Sequence, residues 1–328
     1  MSLCLPSESG KILMVSEWRA LSFSRTITSC TELFGTLRCR ITFIMSDGSA
    51  RFRMTGEWED SGLWLIGLGP GDLRHMTNLA VEAARSSDRR YLEGYTAILP
   101  EDQEEGLAEL VGSWERAMRE TVERPDEMIM EAKNRRVSLM VVGDPMQATT
   151  HIDLKIRCEE EGVPFYVIPG ISATSLAVSL SGLQSYRFGR QVTIPYQYGD
   201  YLPVSPLEMI VGNQMNNLHT LVLLDLDPTG MGVDSPIPMS PEQAFSTVME
   251  MAGRLDEKEG DFFDSLESRI PDWDCILLSD IGTADQRLVS GSFSEISDVA
   301  GGRIHCLIFP ASFSGMERDA FEHHKADT

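Results

Sequence analysis

Val137 to His151, VSLMVVGDPMQATTH, constrains this chain more than any other stretch. From Val137 to Val142 the residues are mostly apolar with no turn former, which suits a parallel strand covered on both faces. Gly143-Asp144-Pro145 then makes a sharp turn that sets a carboxylate at the carboxyl end of a strand, where open α/β sheets bind their ligands. The pattern predicts a helix next, capped by Thr149 or Thr150, with Ile152 and Ile156 one turn apart on its inner face and Gly162 as its stop.

The same alternation runs to either side. Leu63 to Ile66 reads as a short strand entering GLGPGD, Gly67 to Asp72, and a helix is expected from about Thr77 to Ser86 with Leu79, Ala80, Ala83 and Ala84 on it. A dinucleotide fold opens its helix directly from the glycine turn so that the pyrophosphate sits on the helix N-terminus. Here Pro70 and Asp72 intervene, and Asp72 would repel an anion, so a nicotinamide or flavin cofactor is disfavoured. No G-K-[ST] ending marks a P-loop. Arg89 to Leu99 is a second strand and loop in which Glu93 and Tyr95 face one way; helices are expected over 104–112 and 126–135, with a short strand over 114–118 between them.

Past Gly162, a strand over 163–168 ends in PGISATS, Pro169 to Ser175, whose small residues suit both a domain crossing and the close approach of a ligand. Strands follow over 191–196, 220–225, 275–279 and 305–309. Ser205-Pro206-Leu207-Glu208 and Ser240-Pro241-Glu242-Gln243 each predict a helix start with serine at the cap. Asp227 to Met239 is a loop rich in glycine, proline and methionine. The fold class is therefore α/β, with an N-terminal extension over 1–60, one α/β domain over 61–168 and a second over 169–328.

Composition narrows the partners. With a formal net charge of −22, neither nucleic acid nor an anionic membrane is expected as a general partner, since both call for a basic surface. The segment closest to a membrane span, 162–186, is broken by Pro164, Pro169 and many serines. Cys4, Cys30, Cys39, Cys158, Cys275 and Cys306 form no C-x-x-C and no regular framework, which fits free thiols in a reducing cytosol. Residues 1–53 stand apart, with seven basic residues against four acidic ones and half of the cysteines. We read them as a poorly ordered extension or as translation from upstream of the true start, with Met45 and Met54 as alternative starts. The six histidines show no metal-ligand spacing, and no serine sits in G-x-S-x-G, so neither a zinc or iron site nor an α/β-hydrolase is indicated. What remains is a site of loops, small residues and one or two carboxylates, suited to binding and positioning.

GLGPGD, EGYTAIL, GDPMQATTH, SGLQSYRFGR, LHTLVLLDLD and HCLIFP occur here in the order and spacing found in the diphthine synthases, and the chain resembles that family over about 63–322. These are diphthamide-biosynthesis methyltransferases of archaea and eukaryotes, within the tetrapyrrole-methylase-like class of S-adenosylmethionine enzymes. The resemblance implies two α/β domains with S-adenosylmethionine held in the cleft between them, leaving as S-adenosylhomocysteine, and a cytoplasmic homodimer. It places cofactor contacts at Pro70, Asp144, Gln147, Ser172, Ala173, Leu224, Ile281 and His305. The acceptor it implies is a 3-amino-3-carboxypropyl group on a histidine of translation elongation factor 2, methylated repeatedly on its amine. No general base is assigned; Asp72 and Glu93 are the candidates. The family pattern differs at Pro70-Gly71 and over Ser279 to Thr283, which bears on the substrate contacts. A precorrin methylase is the alternative with the same chemistry, and a non-catalytic nucleoside sensor the alternative without it.

Overall fold

The computed structural model describes residues 59–229, 236–255 and 266–325, with backbone alone at 256–259 and in four strands before residue 57. The chain divides into two units, Met1–Glu59 and Asp60–Thr328. In the first, β1 (Cys4–Pro6) pairs antiparallel with β2 (Ile12–Met14), and β3 (Cys39–Ser46) with β4 (Ser49–Gly56). The rest of the arm singled out by its charge lies outside the described residues.

The second unit begins with β5 (Gly62–Gly67), α1 (Asn78–Ser86), β6 (Arg89–Glu93), α2 (Glu101–Val111), β7 (Glu115–Ala117), α3 (Arg119–Glu123), α4 (Asp126–Ala132), β8 (Arg136–Val141), α5 (Ile152–Glu160) and β9 (Phe165–Ile168). The five strands form one all-parallel sheet in the order β7-β6-β8-β5-β9. Every residue of β5 and all but the first of β8 are buried, as expected of strands covered on both faces. Because β5 and β8 are neighbours, GLGPGD and GDPMQATTH leave the sheet side by side at its carboxyl edge.

Two helices depart from expectation. On α1, Thr77 caps through a bond from Ala80 N (3.0 Å) and the three alanines are buried, but Leu79 is exposed. On α5, Ile152 and Ile156 are 53% and 48% exposed, while Leu154 and Cys158 face the core. Both pairs have the same four-residue spacing, so periodicity alone does not say which stripe turns inward. Neither threonine caps α5: His151 holds the cap position without a side-chain bond, and Thr149 Oγ1 donates instead to Pro145 O (2.8 Å).

The chain continues through α6 (Ala173–Leu180), β10 (Val192–Ile194), α7 (Ser205–Met215), β11 (Thr220–Leu224), α8 (Pro241–Glu259), α9 (Leu266–Arg269), β12 (Asp274–Ser279), β13 (Arg287–Ser292), α10 (Phe293–Ser297), β14 (His305–Phe309) and α11 (Gly315–His323). These strands form a mixed sheet in the order β10-β11-β14-β12-β13, parallel only between β10 and β11. Alternate residues serve two cores: Leu307 and Phe309 pack with Leu207, Val248 and Phe293, whereas Cys306 and Ile308 pack with Ala177 and Phe321.

Of the two serine-proline starts, only one caps as expected. Ser240 Oγ accepts from Gln243 N (3.1 Å) and Gln243 Oε1 from Ser240 N (2.9 Å), but Ser205 is already helical and Val204 occupies the cap without a side-chain bond. α6 and β13 add to the sequence reading. The small-residue run that marks a crossing also starts a helix, capped by Ser172 Oγ accepting from Thr174 N (3.2 Å). Within the loop 227–239, residues 230–235 lie outside the described residues. Ile237 N and Met239 N donate to Leu226 O (2.7 Å) and Asp225 O (3.0 Å), tying its return to the exit of β11.

Candidate functional site

Three loops cross where β5, β8 and β9 end, and they cross on glycine. Gly143 N donates to Gly69 O (2.8 Å) and Gly69 N to Gly143 O (3.2 Å), with Leu68 N on Val141 O (2.9 Å). A Cβ on Gly67 would stand 2.5 Å from Gly170 N, and one on Gly170 would overlap Gly143 O. Since these neighbours are backbone, none can swing away, and the crossing requires residues without side chains. Asp144 secures it: Oδ1 accepts from Met146 N (2.9 Å) and Oδ2 from Gly170 N (3.1 Å), joining the loop after β8 to the loop after β9.

Next to this crossing lies a cavity of about 460 Å³, within the usual range for small-molecule sites. Its wall from the first sheet includes Pro70, Asp72, Ala97, Ile98 and Val142. The opposite wall comes from Ile281 and its neighbours Asp280 and Thr283 together with Gly302, Arg303 and Ile304, and Ala173 closes it from the start of α6. The walls meet tightly at one point, where a Cβ on Gly282 would overlap the Pro70 carbonyl. Asp280 shapes the far wall. It has a positive φ of 50°, and its carboxylate accepts from Arg303 N (3.0 Å) and Ile304 N (3.0 Å).

Of the eight positions expected to hold the cofactor, Pro70, Ala173 and Ile281 line this cavity. Asp144 and Gln147 lie on the crossing loop, where Gln147 N donates to Asp144 O (3.2 Å), and Ser172 adjoins Ala173 as the cap of α6. Leu224 ends β11, buried, opposite Ile194 of β10. His305 stands behind the far wall: Nδ1 is 2.8 Å from Ser279 Oγ, its register partner, and a Cβ on Gly302 would stand 2.8 Å from its ring. Burial lowers its pKa, which keeps the imidazole neutral.

The two base candidates separate. Asp72 lines the cavity, but the Arg74 side chain (Nη2 at 2.6 Å) and backbone N–H (2.8 Å) bind its carboxylate and hold it below the usual range. Glu93 does not line the cavity and is 1% exposed. Thr96 donates to both of its oxygens, from N (3.2 Å) and Oγ1 (2.6 Å), while burial pushes its pKa up to about 7. It fixes the turn that delivers Ala97 and Ile98 to the cavity.

Sequence reasoning missed two further polar contacts. Tyr198 Oη donates to Asp225 Oδ2 (2.7 Å), directly after Leu224, and separately Arg119 lies with Cζ 5.3 Å from the Tyr95 ring centroid. Asp225 and Asp227 stand in the LDLD end of a motif already singled out, so the signal was present; Arg119 had none. Among the described residues, no group of three or more His, Cys, Asp or Glu is placed to hold a metal ion.

The sequence profile of the tetrapyrrole (corrin/porphyrin) methylases matches residues 62–297. The diphthine synthase of Methanocorpusculum labreanum is 33% identical over 263 residues, covering 79% of this chain and 97% of that protein. The diphthine methyl ester synthase of Dictyostelium discoideum is likewise 33% identical, over 79% of this chain and 97% of its own length. The crystal structure of an Entamoeba histolytica protein assigned as a diphthine synthase superposes with a TM-score of 0.70 at 32% identity, covering 82% of this chain and all of that one. This chain belongs to the tetrapyrrole (corrin/porphyrin) methylase family and, within it, to the diphthine synthases.

Proposed function

We propose that this chain is an S-adenosylmethionine-dependent methyltransferase of diphthamide biosynthesis, acting repeatedly on the amine of a 3-amino-3-carboxypropyl group on a histidine of translation elongation factor 2. The observation that carries this reading is 33% identity to a diphthine synthase across 97% of that protein, with the GDPMQATTH loop seated beside the cavity. Three features of the site fit the donor. Gly143 has nothing within 4 Å of where a Cβ would stand, so a ligand can approach the loop backbone. Asp72, Asp102, Asp280 and Asp285 line the cavity against Arg303, a balance that favours a cationic ligand. The neutral His305 sets no further positive charge beside it. Pro70, Asp144, Gln147, Ser172, Ala173, Leu224, Ile281 and His305 would hold the donor.

When bound, the donor supplies a methyl group on a positively charged sulphur. The acceptor nitrogen forms a bond to that carbon as the carbon–sulphur bond breaks, and the electron pair stays on sulphur as the thioether. The work of the protein is therefore to hold two reactants in line, about 3 Å apart, and to exclude water. Asp72 is held ionised by Arg74 and is a poor proton acceptor, and both Glu93 oxygens are engaged by Thr96. The attacking amine then has to lose its proton on entry, which burial beside a cationic sulphur favours.

The expected state is a cytoplasmic homodimer acting on a protein, and the exclusion of nucleic acid and anionic membrane as general partners accords with the net charge of −22. Among the described residues, no helix is long and apolar enough to cross a membrane. Purified chain would be incubated with methyl-labelled donor and either elongation factor 2 bearing the unmethylated group or a precorrin. Label in the factor is expected. Label in the precorrin alone would overturn the reading, and donor binding with transfer to neither would favour a sensor.

A further inference from the structure

We propose that Arg303 and Asp285, on the far wall of the cavity, form the subsite for the acceptor's amino-acid head group, with its carboxylate on the Arg303 guanidinium and its amine beside the Asp285 carboxylate. This rests on the reading above and says which residues select the acceptor.

The charged side chains of the cavity sort by whether the protein already engages them. Asp72 is bound by Arg74, and Asp102 Oδ2 accepts from Gln103 Nε2 (2.8 Å). Asp280 turns its carboxylate to the backbone N–H groups of Arg303 and Ile304. Asp285 and Arg303 differ from these. Both line the cavity and both are exposed, yet among the described residues neither side chain has a hydrogen bond or an ion pair, even with the other. Opposite charges that share a wall without pairing leave an anion site and a cation site facing the same space, which is the complement of a zwitterion. The loops that carry them are tied down. Between β12 and β13, Thr283 Oγ1 donates to Asp280 O (2.7 Å) and accepts from Asp285 N (3.1 Å), while Gly282 N donates to Gln286 Oε1 (3.0 Å). Ahead of β14, Arg287 Nη2 donates to Ala300 O (2.8 Å) and Gly301 O (3.1 Å), and Asp280 N donates to Ile304 O (2.8 Å). The backbone is therefore fixed up to the point where the two side chains leave it, which lowers the entropy cost of gathering them around a ligand.

Donor and acceptor both carry an amino-acid head, and position favours the acceptor. Asp144 and Ser172, expected at the donor, belong to the crossing and to the cap of α6. Asp285 and Arg303 are open to solvent, where a group carried on a folded protein has to enter. The Arg fork matches the planar geometry of a carboxylate. The amine sets a different requirement, because each methyl removes an N–H that a hydrogen bond would use, whereas the positive charge on nitrogen stays. A carboxylate meets that requirement by charge alone. Each transfer moves positive charge from sulphur to nitrogen, so a carboxylate on the nitrogen side also lowers the barrier. Because Asp285 is exposed, water screens its hold on the amine's proton, and the nearby sulphonium still drives that proton off to solvent.

The test uses the full chain with Arg303→Ala, Arg303→Lys and Asp285→Asn, each checked for melting temperature and, by calorimetry, for donor affinity. With elongation factor 2 bearing the unmethylated group as substrate, Arg303→Ala is expected to raise the acceptor KM about tenfold while donor affinity and melting temperature stay put. Arg303→Lys should recover part of that loss. Asp285→Asn keeps the shape and removes the charge, so it should lower kcat as well as raise KM. A second acceptor, with its carboxylate already a methyl ester, isolates the claim on Arg303: wild type and Arg303→Ala should then have nearly the same KM. Equal loss on acid and ester would overturn the carboxylate assignment, as would an unchanged KM for Arg303→Ala on the acid. Unchanged kcat and KM for Asp285→Asn would overturn the amine assignment. A fall in donor affinity with the acceptor KM unchanged would give the pair to the donor's own head group and overturn the proposal. A wild-type chain that binds donor but leaves the factor unmethylated would refute the parent reading, and that outcome is seen without any variant.

Discussion

Glu93 and Glu317 are each 1% exposed, one at the carboxyl edge of the parallel sheet and the other on α11 behind the mixed sheet, yet their carboxyls shift in opposite directions. Burial raises both. For Glu93 the opposing forces are two bonds from Thr96 and a more distant Arg119, and the pKa stays up at about 7. For Glu317, backbone N–H groups of Ser314 (2.7 Å) and Gln184 (3.0 Å) and the His219 imidazole (3.2 Å) overcome burial and bring it to about 2, and the Arg187 guanidinium pairs with the same carboxylate. Burial therefore does not decide the charge of a carboxyl; the donors placed around it do. The two also serve different ends of the molecule. Glu317 joins the residues before β11 to the helix after β14, at the edge of the mixed sheet opposite Leu224 and His305, whereas Glu93 sits beside the cavity.

The sharpest way to break this division is Glu317→Ala. Removing one member of a buried ion pair leaves Arg187 Nη1 and His219 Nε2 without their shared acceptor, a loss of about 3 kcal/mol, at the low end because Arg187 Nη2 keeps Ser312 O and Asn217 Oδ1. Urea unfolding should register it, and calorimetry should find donor affinity unchanged in the folded fraction. A fall in affinity without a fall in stability would show that the far edge of the mixed sheet serves the site after all. The acid limb gives a further check. A carboxyl lowered from 4.5 contributes stability that is present above about pH 4.5 and lost as pH falls toward 2, so the variant should lose that part of the wild-type slope.

Gly170→Ala applies a comparable stress at the site end. The new methyl would overlap Gly143 O with Gly67 behind it, and because all of these are backbone the strain should reach about 3 kcal/mol. Donor binding should fall with it, since the loops after β5, β8 and β9 would have to separate. Gly143→Ala is the control. Nothing lies within 4 Å of its Cβ, so only the strain of its φ of 85° remains, about 1 kcal/mol. Equal destabilisation by the two would mean that backbone conformation, not the crossing, explains the glycines.

Much of this was legible in the chain. The apolar runs 63–66 and 137–142 mark central parallel strands because being covered on both faces leaves no polar positions, and the glycines after them mark the crossing. Elements near the surface were harder to read. Ile152/Ile156 and Leu154/Cys158 share one spacing, and only the packed sheet decides which pair is inside. β13, RLVSGS, alternates too weakly to stand out, and α6 hides in a run of small residues whose composition serves a linker equally well. In the site, three of the positions named from the resemblance, Pro70, Ala173 and Ile281, line the cavity, whereas side-chain contacts between distant elements had no signal. Tyr198 is one such case: its bond to Asp225 (2.7 Å) joins residues twenty-seven positions apart, and nothing in the sequence around Tyr198 announces it.

Glu93→Gln has a smaller expected effect than Glu317→Ala or Gly170→Ala and tests the comparison most directly, because it asks whether the site-side glutamate is ionised at a cost. A carboxyl raised from 4.5 to about 7 favours the protonated folded state, so its contribution is fully present below about pH 4.5 and is lost as pH rises through 7. The shift sets a ceiling of about 3 kcal/mol, and on the order of 2 kcal/mol is expected once the Thr96 turn relaxes. Wild-type stability should thus fall between pH 5 and pH 8, opposite in sign to the Glu317 limb and in a separate window. Glutamine cannot ionise, and its amide can still accept from Thr96 N and donate to Thr96 Oγ1, so the variant should be flat across that window and more stable than wild type at pH 8. Donor affinity adds a second reading, since the turn held by Glu93 carries Ala97 and Ile98 into the cavity wall. If wild type and variant keep the same slope from pH 5 to pH 8, Glu93 is ionised in the fold at no cost, and the contrast between the two glutamates fails.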